Sequence, residues 1–326
     1  KVFPAIFCGN AAILKPSEDT PLSAWIFGRI CSEVGLPAGV LNIVHGYGKE
    51  AGMPLVESPR VKLISFTGSC ETGRLVNKVA SERLAKVCME LGGKNAMVVC
   101  DDADLANALN WALQSAFSNA GQRCASASRL IVFDSIYDRF RDMLMKAAKD
   151  LKVGTDDTDF MGPVINERQL TRMLDAVKKA VAAGAKILAG GDRMKDDAYR
   201  TGFYMAPTIL ENVKPDAEIS RQELFGPVVV LYRVRDFAAA LVLANDSDYG
   251  LTSCIHTCNL HRAMRYAEKV EAGVVVVNGG THGSEPHMGF GGVKNSGTGW
   301  REAGVEALDV YSDWKYINII SDPAKV

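Results

Sequence analysis

Several features that would narrow the function at once are missing from this chain of 326 residues. No segment approaches the roughly 18 uninterrupted apolar residues of a transmembrane helix, so we expect no membrane span. The opening stretch KVFPAIFCGN lacks the apolar core and the cleavage site of a secretory signal peptide. The formal net charge is −1, without blocks of Lys or Arg, which argues against nucleic acid or an anionic membrane as partner. We therefore expect a soluble, cytoplasmic protein that acts on small molecules.

Cysteine is present but lacks the spacing of a disulfide framework or a zinc site. The eight cysteines are spread along a long chain, and none form a CxxC pair. Without a signal peptide, we expect them to be reduced thiols. Cys254, His256 and Cys258 are close enough in sequence for a metal, but GLTSCIHTCNL alternates like a strand with apolar neighbours. We therefore predict no metal site.

Short apolar runs alternate with helical patterns along most of the chain. In the first part these strand-like runs are AAILKP (11–16), VLNIVHG (40–46), VKLISFTGS (61–69) and AKVCMEL (85–91). In the second part they are NAMVVC (95–100), SRLIVFD (128–134), PVVVLYRV (227–234), LTSCIHT (251–257) and GVVVVN (273–278). Such alternation is typical of parallel strands joined by helices.

The predicted fold class is therefore α/β. We predict a partial doubly wound, Rossmann-like cofactor domain over residues 1–92 and an α/β catalytic domain over residues 93–275. Residues 276–326 form a return segment, and their run ALDVYSDWKYINII ends in alternating aromatic and apolar residues, which is typical of an edge strand. An edge strand seldom remains unpaired, so we expect a homo-oligomer, a dimer or a tetramer.

Two loops that follow predicted strands are suited to a nucleotide. In SFTGSCETG, Gly68 permits close backbone approach and Ser69 offers a hydroxyl at a helix start, where pyrophosphate is favoured. In LKPSED, Lys15 and Glu18 can hold the two ribose hydroxyls. The carboxylate would repel a 2′-phosphate and so favours NAD over NADP. Ordinary helix starts, with Ser69 as an N-cap, are the alternative for both loops.

The reactive groups are expected at two further positions. MELGGK places Glu90 at the end of a strand, where a partly buried carboxylate can act as a general base. In FSNAGQRCASASR, small and polar residues surround Cys124, whose thiolate would be a strong nucleophile and a good leaving group. We expect Arg123 and the upstream helix to lower the pKa of Cys124. A solvent-facing acid and a buried structural cysteine are the alternatives.

Six motifs occur in the order found in a known enzyme superfamily. They are LKPSE, FTGS, ELGGK, GQRC, ELFGP and GFGGVKNSG. With these motifs the chain resembles the NAD(P)-dependent aldehyde dehydrogenases over essentially its whole length. The resemblance implies that Cys124 attacks an aldehyde and that Glu90 activates the water that hydrolyses the resulting thioester. Relatives that pass the acyl group to coenzyme A lack this glutamate, so a free carboxylic acid is the expected product.

The resemblance also assigns the contacts of NAD, with NADP as a possible substitute. The matched cofactor-binding residues are Lys15, Ser17, Glu18, Gly68, Ser69, Gly73, Leu91, Glu223 and Phe225. Lys15 and Glu18 match the adenosine ribose contacts, and Glu223 matches the acid that holds the nicotinamide ribose. Phe290 would line the substrate mouth. Glu302 resembles a proton-relay acid, although Trp300 shifts the match there by one residue.

The match begins inside the family pattern. The family's preceding portion holds an oligomerisation hairpin and an asparagine whose amide helps to bind the oxyanion, so we expect a fragment of a longer enzyme. THGSEPHMGFGG (281–292) should border the aldehyde tunnel, and its polar residues favour a polar aldehyde or a semialdehyde. Two other functions stay open. One is an NAD-binding protein without activity, and the other is a cysteine hydrolase, which is weakened because no histidine lies near Cys124 in the sequence.

Overall fold

Strands and helices alternate along the chain. The computed structural model describes residues 1–282, 285–322 and 324. The chain begins with α1 (Val2–Phe7), β1 (Ala12–Leu14), α2 (Leu22–Glu33), β2 (Leu41–Ile43), a π-helical turn (Gly48–Gly52) and α3 (Met53–Glu57). It continues with β3 (Leu63–Thr67), α4 (Cys70–Ser81), β4 (Lys86–Glu90), β5 (Asn95–Val99), α5 (Leu105–Phe117), a 3-10 turn (Ser118–Gly121), β6 (Ala127–Phe133), α6 (Asp134–Lys149) and α7 (Glu167–Ala182).

The remaining elements complete the second half of the chain. They are β7 (Lys186–Ala189), a 3-10 turn (Asp197–Tyr199), β8 (Thr208–Glu211), α8 (Glu218–Arg221), β9 (Val228–Val234), α9 (Phe237–Asn245), β10 (Tyr249–Gly250), β11 (Thr252–His256), α10 (Leu260–Lys269), β12 (Val274–Val277), β13 (Val293–Lys294) and α11 (Ala307–Tyr311). In the described residues, no helix combines the length and the apolar character needed to cross a membrane.

Internal contacts divide the chain into two units. The first consists of Lys1–Ser58, Pro286–Gly289 and Arg301–Val326, and the second of Pro59–Glu285 and Phe290–Trp300. In the first unit β1 and β2 pair in parallel, with Ala12 opposite Leu41. The functional domain boundaries at residues 92 and 275 stay a prediction.

The predicted C-terminal edge strand is not formed in the single chain. After α11, residues 312–320 have no strand assignment. A strand is stabilised by hydrogen bonds to a neighbouring strand, and a lone extended run has no such neighbour. The pairing of this run with a second copy therefore stays a prediction.

A seven-stranded sheet forms the centre of the second unit. Its strand order is β12-β11-β5-β6-β9-β8-β7, and β7 alone runs antiparallel to its neighbour. Alternate residues of β5 enter opposite cores: Ala96 and Val98 pack on the side of α7, α9 and α10, and Met97 and Val99 on the side of α5 and α6. Helices cover both faces, which explains why its strands are nearly continuous apolar runs. The predicted α/β class is confirmed.

A buried arginine joins this sheet to a helix end near the predicted site. The Arg129 side chain is 3% exposed and donates from Nε to the carbonyl oxygen of Lys94 at 2.9 Å. Its two terminal nitrogens donate to the carbonyl oxygens of Leu243, Ala244 and Asp246 at 2.9, 2.9 and 3.2 Å. The carbonyls at the C-terminus of α9 would otherwise lack partners, and a cation is favoured there. Arg129 thus holds the last residue of ELGGK, Lys94.

We expect Arg129→Met to lower the free energy of unfolding by about 3 kcal/mol, because it leaves several buried carbonyls unsatisfied. Urea denaturation followed by circular dichroism measures the change. Arg235→Met is the matched control, since the Arg235 side chain is 86% exposed and makes one surface ion pair; it should change stability by under about 0.5 kcal/mol. Equal losses in the two variants would contradict the anchoring role of Arg129.

Candidate active site

The loop that carries Cys124 leaves α5 through an unusual backbone. Asn119, Ala120 and Gly121 have left-handed φ angles of 55°, 53° and 64°. A side chain at Gly121 is excluded, because a Cβ there would stand 2.3 Å from the carbonyl oxygen of Gly226. Left-handed non-glycine residues cost of order 1 kcal/mol each and persist where their surroundings hold them, often at functional sites. The strain turns the chain toward the predicted nucleophile.

Cys124 lies in the middle of a tight turn. The N–H of Ser126 donates to the carbonyl oxygen of Arg123 at 3.0 Å, which places Cys124 and Ala125 at the two central positions. The backbone N–H groups of Ala125 and Cys124 lower the pKa of the Cys124 thiol. These dipoles favour negative charge on the sulfur and on an oxyanion formed next to it.

Two carboxylates face the thiol and oppose its ionisation. Burial, followed by the charges of Glu223 and Glu90, raises the pKa of Cys124 to about 11. The predicted lowering of this pKa is wrong for two reasons. The Arg123 guanidinium turns away and donates to the Ser118 hydroxyl at 2.9 Å. The helix before the turn, α5, presents its C-terminal, negative end.

Glu90 is buried, with 4% of its surface exposed, so a solvent-facing acid is excluded. It is the last residue of β4, as the strand pattern predicted. The N–H of Gly68 donates to its carbonyl oxygen at 3.1 Å, and the next N–H, of Leu91, donates to Ser296 O at 2.9 Å. A Cβ on Gly297 would stand 3.6 Å from Glu90 Oε1. The backbone around the carboxylate is therefore held from two sides.

Of the two glycines of ELGGK, Gly92 makes room for the second carboxylate and Gly93 donates a hydrogen bond to it. The N–H of Gly93 donates to Glu223 Oε1 at 3.0 Å, and a Cβ on Gly92 would stand 2.2 Å from Glu223 Oε2. Burial raises the pKa of Glu223 to about 7. The neighbouring Phe225 has a left-handed φ of 58° and is 42% exposed. Glu223 thus belongs to the Cys124 pocket, beside a ring that remains accessible.

Lys94 is an ionisable neighbour of this pocket that the sequence analysis did not single out. It is 3% exposed. Burial, reinforced by the positive charge of Arg129, lowers the pKa of Lys94 to about 7. The negative charge of Glu223 acts in the opposite direction. Its place at the end of ELGGK, directly before a buried strand, was the signal available in the sequence.

The predicted pyrophosphate loop forms the start of α4. Ser69 is the N-cap, and its hydroxyl accepts from the N–H of Thr72 at 3.2 Å. A Cβ on Gly73 would stand 2.5 Å from Leu91 Cδ2, so this glycine lets the helix pack against the residue after Glu90. Burial raises the pKa of Cys70 at the same helix start, which keeps that thiol neutral. The arrangement suits a phosphate, because helix N-termini attract anions.

The predicted adenosine-ribose contacts lie in the first unit. Lys15 Nζ is 3.3 Å from Glu18 Oε2 and donates to the carbonyl oxygen of Pro16 at 2.8 Å. The Ser17 hydroxyl accepts from the N–H of Asp19 at 3.3 Å. A donor and an acceptor therefore stand side by side in the loop after β1, as two ribose hydroxyls require.

The remaining predicted positions are distributed over both units. Phe290 is half-buried in the second unit, and Glu302 forms an ion pair with Lys1 in the first. In the predicted tunnel segment, the ring of His282 lies 5.9 Å from the ring of Trp111, between centroids. The next two residues of that segment, Gly283 and Ser284, lie outside the described residues.

The cysteines near residue 256 do not share one face of a strand. Cys254 and His256 are buried on β11, but the strand ends at His256 and leaves Cys258 exposed. Across residues 1–282, 285–322 and 324, no group of three His, Cys, Asp or Glu side chains is arranged to hold a metal.

Two buried polar residues that the sequence analysis missed bind the Cys124 turn. Asn95 Nδ2 donates to the carbonyl oxygens of Cys124 and Ser126, both at 2.8 Å. Thr281 Oγ1 donates to the carbonyl oxygen of Ala125 at 2.7 Å. A polar residue at the head of the apolar strand NAMVV was a usable signal for Asn95, because a buried amide needs partners. The sequence around Thr281 carries no comparable signal.

Comparison with known proteins agrees with this geometry. The model of the aldehyde dehydrogenase family matches residues 1–317. The chain belongs to the aldehyde dehydrogenase family, as the six motifs predicted. It is 36% identical to alpha-ketoglutaric semialdehyde dehydrogenase of Bacillus subtilis, over 97% of this chain and 65% of that protein. It is 39% identical to human retinaldehyde dehydrogenase 3, over 98% of this chain and 62% of that protein.

A solved structure gives the same fold. The betaine aldehyde dehydrogenase of Staphylococcus aureus, in complex with NAD+, superimposes with a TM-score of 0.93 at 37% identity, over 95% of this chain and 62% of that one. The chain thus spans somewhat less than two thirds of the length of these relatives.

The two carboxylates give the Cys124 thiol a testable pH dependence. Because Glu90 raises the pKa of Cys124, Glu90→Gln should lower that pKa and raise the thiolate fraction at a fixed pH below it. We expect alkylation of Cys124 by iodoacetamide to become about three- to tenfold faster at mildly alkaline pH. Peptide mass spectrometry separates Cys124 from the other thiols. Glu268→Gln, at an exposed acid, is the control, and a rate unchanged in both variants would contradict the interaction.

Proposed function

We propose that this chain carries the catalytic centre for oxidation of an aldehyde or semialdehyde to a carboxylic acid with NAD(P)+. The observation that supports the proposal is that the charges of Glu90 and Glu223 both act on the partly buried thiol of Cys124. A thiol, a general base and an acid suited to hold a ribose are the groups that this reaction requires. The same catalytic type is named for the relatives, whose substrates range from a semialdehyde to retinaldehyde.

Glu90 has two tasks in the proposed mechanism. Because the pKa of the Cys124 thiol is raised, its proton must be removed before it reacts, and we assign the buried carboxylate of Glu90 as the acceptor. The thiolate then attacks the aldehyde carbon, and the oxyanion forms beside the N–H groups that face the sulfur. Loss of a hydride converts this adduct to a thioester. Glu90 then releases this proton to solvent and takes a second proton from the water that attacks the thioester. The C–S bond breaks, and the proton on Glu90 returns to the sulfur.

Within the second unit, the residues present fit the pyrophosphate and the nicotinamide ribose of a dinucleotide, and within the first unit they fit an adenosine ribose. The start of α4, with Ser69 and the N–H groups of its first turn, would hold the pyrophosphate. Lys15 and Glu18 would bind the adenosine ribose, and Glu223 the nicotinamide ribose. The role of Gly73 and Leu91 is to set the position of that helix start. When bound, the nicotinamide supplies the acceptor for the hydride.

We propose a homo-oligomer in a reducing compartment, the cytoplasm. The C-terminal run presents large exposed apolar side chains that a second copy would cover. These residues are Trp314, Tyr316, Ile317, Ile319 and Ile320. All eight cysteines are free, which supports the reducing compartment.

Turnover is tested with a panel of charged and apolar aldehydes by following NADH fluorescence. Cys124→Ala should abolish NADH formation. At alkaline pH the thiolate forms without Glu90, so Glu90→Gln should retain a burst of about one NADH per chain. Hydrolysis of the thioester still needs the base, so steady-state turnover should be about 10²- to 10⁴-fold slower. Cys258→Ala, at an exposed cysteine, is the control with full activity.

The outcomes separate the competing functions. Activity that survives Cys124→Ala would refute the assignment of the nucleophile. NADH binding without turnover on any aldehyde would favour a binding protein, and ester hydrolysis that needs no NAD and produces no NADH would favour a hydrolase.

Cofactor choice depends on the carboxylate of Glu18. We expect Glu18→Gln to tighten NADPH binding about three- to tenfold and to change NADH binding less, because the charge that repels a 2′-phosphate is removed. Fluorescence titration of the two reduced cofactors measures both constants. Glu50→Gln, on the π-helical turn of the same unit, is the control. A parallel change for both cofactors would contradict the role of Glu18.

A further inference from the structure

We propose that Asn95 and Thr281 are positioning residues that hold the Cys124 turn and thereby aim a backbone N–H at the sulfur. The inference rests on the proposed role of Cys124 as nucleophile. Three consecutive carbonyl oxygens, of Cys124, Ala125 and Ser126, accept hydrogen bonds at 2.8, 2.7 and 2.8 Å. Asn95 binds the outer two and Thr281 binds the middle one. We call these three bonds the carbonyl clamp.

Peptide planarity connects the clamp to the sulfur. In a trans peptide the carbonyl oxygen of one residue and the N–H of the next point in opposite directions. With Asn95 holding the Cys124 carbonyl on one side, the N–H of Ala125 faces the other side, and this N–H lowers the pKa of the Cys124 thiol. In the next peptide, Thr281 holds the Ala125 carbonyl, and the N–H of Ser126 closes the turn onto Arg123.

Each member of the clamp is itself fixed. The Asn95 side chain is buried, and its Oδ1 accepts from the N–H of Thr252 at 3.1 Å, which determines the orientation of the amide. Thr281 is fully buried, and its N–H donates to the Ser115 hydroxyl at 3.1 Å. A Cβ on Gly93 would stand 2.7 Å from Asn95 Oδ1, so the glycine also leaves room for this amide. Mobile side chains could not hold a dipole in one direction.

The clamp works against the effects that keep the thiol protonated. Burial, Glu223 and Glu90 raise the pKa of Cys124, whereas the N–H groups of Ala125 and Cys124 lower it. Loss of the clamp should therefore raise the pKa of Cys124. The rate of thiolate reactions at a fixed pH should fall, and the limiting rate at high pH should remain.

Thr281→Val tests this, because it removes the hydroxyl and keeps the shape. The measurement is the pH dependence of Cys124 alkylation by iodoacetamide, followed by peptide mass spectrometry in the whole chain. We expect the apparent pKa of Cys124 to rise and the rate at mildly alkaline pH to fall about three- to tenfold. Thr281→Ser, which retains the hydroxyl, should restore the parent profile.

Ser115→Ala provides a second test of the clamp if Thr281→Val does not fold. It removes the acceptor that fixes Thr281 and touches no atom of the turn, so a smaller rise in the same pKa is expected. A thermal melt on every variant separates folding from positioning. A merely structural role would lower the melting temperature while leaving the alkylation profile of Thr281→Val equal to that of Thr281→Ser, and this result would overturn the proposal.

Alkylation requires neither aldehyde nor cofactor. The clamp is therefore tested even if the chain forms no NADH. A shifted alkylation profile together with absent turnover would support the clamp and refute the proposed activity. An unshifted alkylation profile together with normal turnover would refute the clamp and support the proposed activity.

Discussion

The bare backbone of Gly92 and Gly93 is the constraint on which the site depends. These residues connect β4 to β5, and the segments that carry Glu223 and Cys124 come from distant parts of the second unit. The Glu223 carboxylate lies against Gly92 and accepts from the N–H of Gly93, and the Cys124 carbonyl lies against Gly93. A methyl group at either position would collide with one of these segments. Close packing of backbone on carboxylate and carbonyl therefore assembles the pocket.

Burial is also the largest cause of the pKa shifts of three ionisable groups in the pocket. It raises the pKa of Cys124 and of Glu223, and it lowers the pKa of Lys94. Each shift favours the neutral form, because a charge is expensive in a poorly solvated interior. In the proposed reaction, the first step is accordingly a proton transfer inside the pocket. Oriented N–H groups matter more in such a site than they would in water.

The elements were predictable because their physical causes are local. Strand patterns such as NAMVVC and SRLIVFD correspond to β5 and β6 within about one residue at each end, since their burial on two faces leaves long apolar runs. The N-cap at Ser69, which was the alternative to a phosphate site there, has the same kind of local cause. The edge strand at the C-terminus was different, because its formation depends on a partner strand and not on the run itself.

The sequence by itself determined the order of strands and helices and the family, and it led to the proposal that Cys124 and Glu90 make and hydrolyse a thioester. Those conclusions rest on residue types and their order. Only the tertiary structure decided that Arg123 turns away from the thiol, that Glu223 faces it, and that Asn95 and Thr281 hold the turn. The physical reason is that a pKa and a hydrogen bond depend on burial and on distances of a few ångströms, and spacing along the chain specifies neither.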